Sequence, residues 1–256
     1  MAHPHLVVET DGPVRTITLD NPSRLNAQTP SLWRALADEA RSLPEQVRVV
    51  VLRGEGASFS AGIDLALFTA AGLPGEESIV ALAAGGPERI KEGIAAYQEG
   101  FVSWAAVPAI VVAQVHGHAI GGGFQLALAA DLRVVADDTR FAMRETSRGI
   151  VPDLGGTKAL VDLVGFARAL EICATGRVVG AEEAERLGLA NVVVPRSSLA
   201  EATAQLVDAL LAAPEPAVRA LKPLLRAAVG ADVEGQCRRE REAPVGLLLG
   251  LLAAGQ

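Results

Sequence analysis

Residues 109–125 read Ala109-Ile110-Val111-Val112-Ala113-Gln114-Val115-His116-Gly117-His118-Ala119-Ile120-Gly121-Gly122-Gly123-Phe124-Gln125. The span 109–115 is an almost continuous apolar, β-branched run, the pattern of a strand covered on both faces in a parallel sheet. The glycines that follow lead into an apolar helical run over 123–130. A second such strand is predicted at 47–52 and a third at 132–136, with helical patterns over 31–43 and around 88–104 between them. In the first of these helices Leu32, Leu36, Ala40 and Leu43 recur at spacings of three and four, and Pro44 ends the run. Strand and helix alternate, which predicts an α/β domain with crossover connections. Before them, residues 6–10 and 14–20 flank Asp11-Gly12 and predict a hairpin.

Past Gly156 the character changes. Residues 158–173, 181–187, 198–212 and 216–229 read as helices, with one short strand at 191–194. We therefore divide the chain into an α/β core, residues 1–195, and a helical region, residues 196–256. So short a helical module buries little on its own and is expected to pack on the main body or on another subunit. Residues 70–87, rich in Gly, Pro and Ala, read as a loop or a frayed helix, either a binding loop or a variable insertion.

Composition narrows the function classes. A chain of 256 residues is one large domain, or one domain with an appendage. Twenty-three Lys and Arg against thirty Asp and Glu leave a net charge of −7, which argues against a dedicated nucleic-acid binder. Cys173 and Cys237 lie far apart without a second Cys or His at ligand spacing, so neither a disulfide scaffold nor a metal site is expected, and a cytoplasmic location is. Residues 1–10 carry no basic segment leading into an apolar run, and the longest apolar runs fall far short of the ~20 residues of a membrane span.

Two strand-to-helix junctions are candidate anion or oxyanion sites: Ser58-Phe59-Ser60-Ala61-Gly62-Ile63-Asp64-Leu65, and His116 to Gln125. At each, the first N–H groups of a helix lack intrahelical partners and the macrodipole is positive. Small residues that merely permit a tight turn are the alternative. A dinucleotide fingerprint fails because Leu126 stands where Gly is required, no phosphate-binding loop occurs, and Ser58 stands where a nucleophile elbow centred on Ser60 needs Gly. A third segment, Phe141 to Thr157, places Glu145 and Asp153 eight residues apart around Gly149 and Pro152. A bend there would face both acids toward one cavity. Taken alone, the segment reads as a surface acid paired with Arg144 or Arg148, followed by an N-cap at Asp153.

Together, in this order and spacing, the segments resemble the crotonase superfamily, the enoyl-CoA hydratases and isomerases. The resemblance runs from about Leu6 to about Val194. It also rests on Pro22-Ser23-Arg24-Leu25-Asn26-Ala27, on Gly149-Ile150-Val151-Pro152 with Gly155-Gly156-Thr157, and on Ala181-Glu182-Glu183-Ala184 with Gly188-Leu189-Ala190. It implies a crotonase-like ββα spiral with a C-terminal helical trimerisation region, assembled as a trimer or dimer of trimers, and an acyl-CoA thioester as substrate, with no cofactor beyond its coenzyme A moiety.

By motif position the resemblance assigns the thioester oxygen to the N–H groups of Ile63 and Gly122. It places substrate against Arg24, Leu25, Ala27, Ser60, Ala61, Gly62, Ile63, Asp64, Leu65, Gly121, Gly122, Gln125 and Glu145. Arg24 is a candidate for a CoA phosphate, or else simply solvated; His116 and His118 read as structural. Hydratases of the family use two glutamates. The second is present as Glu145, but the first position holds Gln125, a neutral amide that cannot exchange a proton as a carboxylate does. Asp153 occupies a position where dienoyl-CoA isomerases carry an acid, although those also keep an acid at the position of Gln125. Double-bond isomerisation by Glu145 and Asp153 is therefore placed ahead of hydration. Decarboxylation, thioester hydrolysis and a non-catalytic acyl-CoA-binding relative are the alternatives.

Overall fold

Asp11 and Val14 face each other across a turn at Gly12-Pro13, where Gly12 has a φ of +51°, and β1 (Leu6–Asp11) and β2 (Val14–Leu19) form the expected hairpin. The computed structural model describes residues 3–254; residues 1–2 and 255–256, the outer ends of the two regions expected above, lie outside them. After the hairpin come α1 (Pro30–Arg41), β3 (Val49–Gly54), α2 (Ile79–Ala84), α3 (Gly86–Ala106), β4 (Ile110–Val115), β5 (His118–Ile120), α4 (Gly122–Ala129), β6 (Leu132–Ala136) and β7 (Arg140–Ala142). The chain continues through α5 (Gly156–Thr175), β8 (Val179–Gly180), α6 (Ala181–Arg186) and β9 (Val192–Val194). It finishes with α7 (Leu199–Ala212), α8 (Glu215–Ala228), α9 (Val233–Glu242) and α10 (Val245–Ala254).

Six strands make the main sheet in the order β1-β2-β3-β4-β6-β9, parallel throughout except for the β1 hairpin partner. Val49, Val51, Val112 and Val134 point to one face, where Leu199 and Val207 of α7 cover them. Val50, Leu52, Val111, Ala113 and Val115 point to the other and join Leu36, Phe101 and Trp104 in the principal core. Both faces are buried, so these strands read as unbroken apolar runs rather than as alternations. Each such side chain stabilises the fold by roughly 1.5–3 kcal/mol before chain entropy is counted.

The C-terminal helices are not alike. Helix α7 lies on the sheet, and α8 is pinned by Lys222, a buried ammonium 2.7 Å from Asp131 Oδ2 and 2.8 Å from Ala109 O. In α10, Leu248, Leu249, Leu251 and Leu252 are all exposed. Among the described residues no helix is long and apolar enough to cross a membrane.

Three local features differ from the sequence reading. A second sheet, in the order β5-β7-β8, escapes it because strands of two or three residues carry no period. Residues 70–87, read as a loop or a frayed helix, hold an ordered short helix: Ser78 accepts a hydrogen bond from Ala81 N and caps α2. The helix expected over 158–173 is interrupted at Gly165, whose φ of +74° and ψ of 163° divide α5 into two helical pieces.

Candidate active site

The two glycine junctions lie side by side. Phe59 N donates to His116 O at 2.8 Å, Ser60 N to His118 O at 2.9 Å and Ile120 N to Ser60 O at 3.0 Å, zipping the loop after β3 onto β5. Asn26, in the left-handed region at φ +55°, clamps the loop from behind: its Nδ2 donates to Glu55 O and Ser58 O, and its Oδ1 accepts from Asn21 N. Ser60 Oγ donates to Asn26 O and accepts from Gly62 N and Gln28 Nε2. The peptides on either side of Ile63 are held by Gln28, whose N–H donates to Gly62 O while its carbonyl accepts from Asp64 N. Ile63 N–H itself, and Gly122 N–H at the start of α4, have no acceptor among the described residues.

Gly62 is where the two junctions touch. Its φ is +82°, and a Cβ there would stand 2.3 Å from Ile120 O and 3.2 Å from Gly122 N. No side chain fits, and its absence lets the loop bearing Ile63 come beside the N-terminus of α4. Two unpaired donors thus open on one cleft of about 610 Å³. Fixed N–H groups at a helix start suit an oxygen that acquires negative charge.

Glu145 supplies the acid. The expectation of a surface carboxylate paired with Arg144 or Arg148 is overturned: Glu145 is only 8% exposed, and Arg144 donates instead to Gly176 O at 3.0 Å. Glu145 Oε1 accepts from Gln125 Nε2 at 2.7 Å, while Oε2 is buried with no partner among the described residues. Burial raises the Glu145 pKa and the charge of Asp153 adds to this, against the opposing hydrogen bonds from its own backbone N–H and from Gln125. Asp153 is not the N-cap of α5; Gly155 stands there and no side chain caps the helix. Burial raises the Asp153 pKa as well. The bend between the acids turns both toward a smaller cavity that adjoins the cleft and also meets Ile63 and Gly122.

The cleft brings together Arg24, Ala27, Ala61, Gly62, Ile63, Asp64, Leu65, Gly121, Gly122 and Glu145. Leu25, Ser60 and Gln125 are not on its wall: Leu25 is exposed, and Ser60 and Gln125 are buried behind it. Arg24 is neither free nor merely solvated, since its guanidinium lies 2.7 Å from both Asp64 oxygens. Asp64 also accepts from Ala66 N, capping the short turn that follows. His116 Nε2 lies 3.1 Å from Gly56 O, and His118 Nδ1 3.1 Å from Ser58 Oγ, outside the cleft. Sequence reasoning missed Gln28, which holds the Gly62 and Asp64 backbone and the Ser60 hydroxyl of the first junction, and missed Phe68 and Arg148 as residues of the cleft wall. No motif marks these residues. Among the described residues no cluster of three or more His, Cys, Asp or Glu side chains is placed to hold a metal ion.

The profile described as Enoyl-CoA hydratase/isomerase matches residues 9–244. The chain belongs to this family. Among relatives of this enoyl-CoA hydratase/isomerase family protein, carnitinyl-CoA dehydratase of Salmonella typhi is 38% identical over 227 residues, 88% of this chain and 81% of that one. A Thermobifida fusca YX protein, provisionally named an enoyl-CoA hydratase and solved in complex with CoA, superposes with a TM-score of 0.91 at 44% identity, covering 97% of this chain and 95% of its own. The same Thermobifida protein in complex with acetoacetyl-CoA gives the same score and identity over 96% and 95% of the two chains.

Proposed function

We propose that the protein forms an enolate of an acyl-CoA thioester and moves a double bond along its acyl chain. One observation carries this reading: Glu145 and Asp153 face a single cavity beside the Ile63 and Gly122 N–H groups, while Gln125 is committed to three hydrogen bonds within the protein. The Glu145 carboxylate removes a C2 proton from a 3-enoyl-CoA, and the electron pair moves onto the thioester oxygen, which the two N–H groups hold. Protonated Asp153 delivers a proton to C4 as the pair returns to form the C2–C3 double bond. The 2-enoyl-CoA leaves, and proton exchange returns Glu145 to the carboxylate and Asp153 to the acid. Nothing beyond the CoA of the substrate enters this sequence. Arg24, Ala27, Asp64 and Leu65, on the wall of the cleft, are then placed to flank the bound CoA; that a relative binds CoA is shown by the Thermobifida complex.

A second reading, reversible addition of water, is supported by the relative named a dehydratase. Purified protein offered a trans-2-enoyl-CoA, a 3-enoyl-CoA and a dienoyl-CoA separates the two. The isomerase reading expects double-bond migration to dominate and to vanish in Glu145→Gln. Brisk hydration that survives this substitution would sink both sets of roles. Loss of carbon dioxide would identify a decarboxylase and release of free CoA a thioesterase. Binding without deuterium wash-in at the acyl carbons would identify a non-catalytic relative.

We further propose that the protein assembles as a trimer or dimer of trimers through its last helices, supported by the exposed leucines of α10. Light scattering that reads a monomer at micromolar concentration would overturn this.

A further inference from the structure

The cavity behind Glu145 and Asp153 measures about 180 Å³. A cavity of that size takes a short acyl chain and not a long one. Its far wall is aliphatic, with Ile79 and Leu82 from α2 facing Ile90 and Ile94 from α3. Trp33 and Tyr97 also border it, but they pack on each other with ring centroids 5.1 Å apart, and Trp33 packs on Phe101 at 5.9 Å. That wall offers no carboxylate for a cationic tail, which would have to shed its water among aliphatic groups. The turn that leads into α2 is fastened at two points. Glu76 accepts from the N–H and hydroxyl of Ser31 at the start of α1, and Glu77 accepts from Arg89 of α3 at 2.6 Å.

Leu82 stands between this cavity and Gly93 of α3. A Cβ on Gly93 would lie 2.5 Å from Leu82 Cδ1 and 3.2 Å from both Leu82 Cδ2 and Arg89 Nη1. The close contact falls on the end of a flexible side chain, and the open space beside that side chain is the cavity. Gly93 lies inside a helix with helical backbone angles, so nothing in the main chain demands glycine there. Its evident effect is to let Leu82 lean away from the cavity.

Resting on the acyl-CoA reading above, we propose that the acyl group is a short, neutral aliphatic chain whose terminal methyl abuts Leu82, and that Gly93 sets its length from behind. Leu82 is a specificity-determining residue by contact, and Gly93 is one by positioning it.

The test uses the full chain and a series of straight-chain enoyl-CoA substrates of increasing length, with calorimetric binding of the matching saturated acyl-CoAs measured alongside. Gly93→Ala is expected to move the optimum to shorter chains, losing about tenfold or more in kcat/KM on the best wild-type substrate while sparing the shortest. Leu82→Ala is expected to move it to longer chains, and the double variant to follow Leu82→Ala, since the clash has been removed. Circular dichroism checks folding; if Leu82→Ala does not fold, Gly93→Ala carries the test. One length profile shared by wild type and Gly93→Ala overturns the proposal, as does preference for a trimethylammonium-bearing acyl-CoA over its neutral tert-butyl isostere. Failure to bind any acyl-CoA overturns the underlying reading too, whereas an unchanged profile with intact turnover overturns this proposal alone.

Discussion

Gln125 Nε2 lies 2.7 Å from Glu145 Oε1, and the oxygen of the same amide accepts from Leu154 N at 3.0 Å and Gly156 N at 3.2 Å. The side chain donates to the acid and accepts from the start of α5, a pairing that an ionised carboxylate cannot supply. Gln125→Glu would set a second carboxyl against Glu145, and repulsion raises the proton affinity of the pair. A group whose pKa is raised by folding loses its stabilising contribution as pH rises through that folded value. We expect Gln125→Glu to melt well below wild type at about pH 8 and to recover most of the difference at about pH 5. Melting curves at the two pH values check this, and an equal gap at both would refute it.

Glu145→Gln is expected to lower kcat by roughly 10²–10⁴-fold, the usual weight of a positioned acid-base group, with acyl-CoA affinity little changed. Its stability should change in the opposite sense to its activity. Burial and the neighbouring Asp153 raise the Glu145 pKa, so folding favours its neutral form, and ionisation costs stability as pH rises above the unfolded value. The amide escapes that cost. Relative to wild type, the variant should gain thermal stability as pH is raised from about 4 to about 8.

Asp153 separates removal of a proton from its return. In Asp153→Asn, exchange of the C2 proton with deuterated water should continue, while double-bond migration falls by about 10²-fold or more. Proton NMR reads both in one tube. Loss of the two together would mean that Asp153 positions the substrate rather than carrying the proton.

Since burial raises both acids, the wild-type rate should follow a bell whose acid limb lies above the ordinary carboxylate range. Its two inflections belong to the coupled pair rather than to either residue. Asp153→Asn should abolish the alkaline limb and Glu145→Gln the acid one, as initial rates across pH will show.

Gly62→Ala should cost about 10²–10³-fold in kcat, the effect of misplacing one oxyanion donor. The new methyl meets Ile120 O at 2.3 Å in a backbone conformation that alanine adopts with strain, so about 1–3 kcal/mol of stability should go with it. Urea unfolding measures the second effect and turnover the first. Unchanged turnover in a folded variant would remove the N–H groups from the reaction.

Much of this architecture is written in local chemistry. The parallel sheet is legible in Val49 to Leu52 and Val111 to Val115 because burial on both faces removes polar alternation. The adjacency of the two glycine junctions is legible only through resemblance, since the hydrogen bonds that zip them, such as Phe59 N to His116 O, join residues far apart in the chain. Asp153 shows the same boundary. A proline-containing bend just before a helix is an ordinary setting for an N-cap, and nothing in the segment signals that Gln125 takes the Leu154 and Gly156 N–H groups, Gln98 takes Asp153 O and Gly155 stands at the N-cap. Gln28 and Leu82 carry no signal at all. A buried amide and a buried leucine look alike wherever they occur, and their importance comes from which atoms the fold happens to set beside them.

The amide at position 125 also serves the scaffold and the pocket at once. It keeps the acceptor that the start of α5 requires, so the scaffold is preserved whether that side chain ends in an amide or in an acid that retains its proton. The proton inventory of the pocket, by contrast, differs entirely between the two. The backbone at the start of α5 and the proton count of the pocket thus meet in one side chain, so a change at position 125 leaves the frame intact only while an acceptor still faces Leu154 N and Gly156 N.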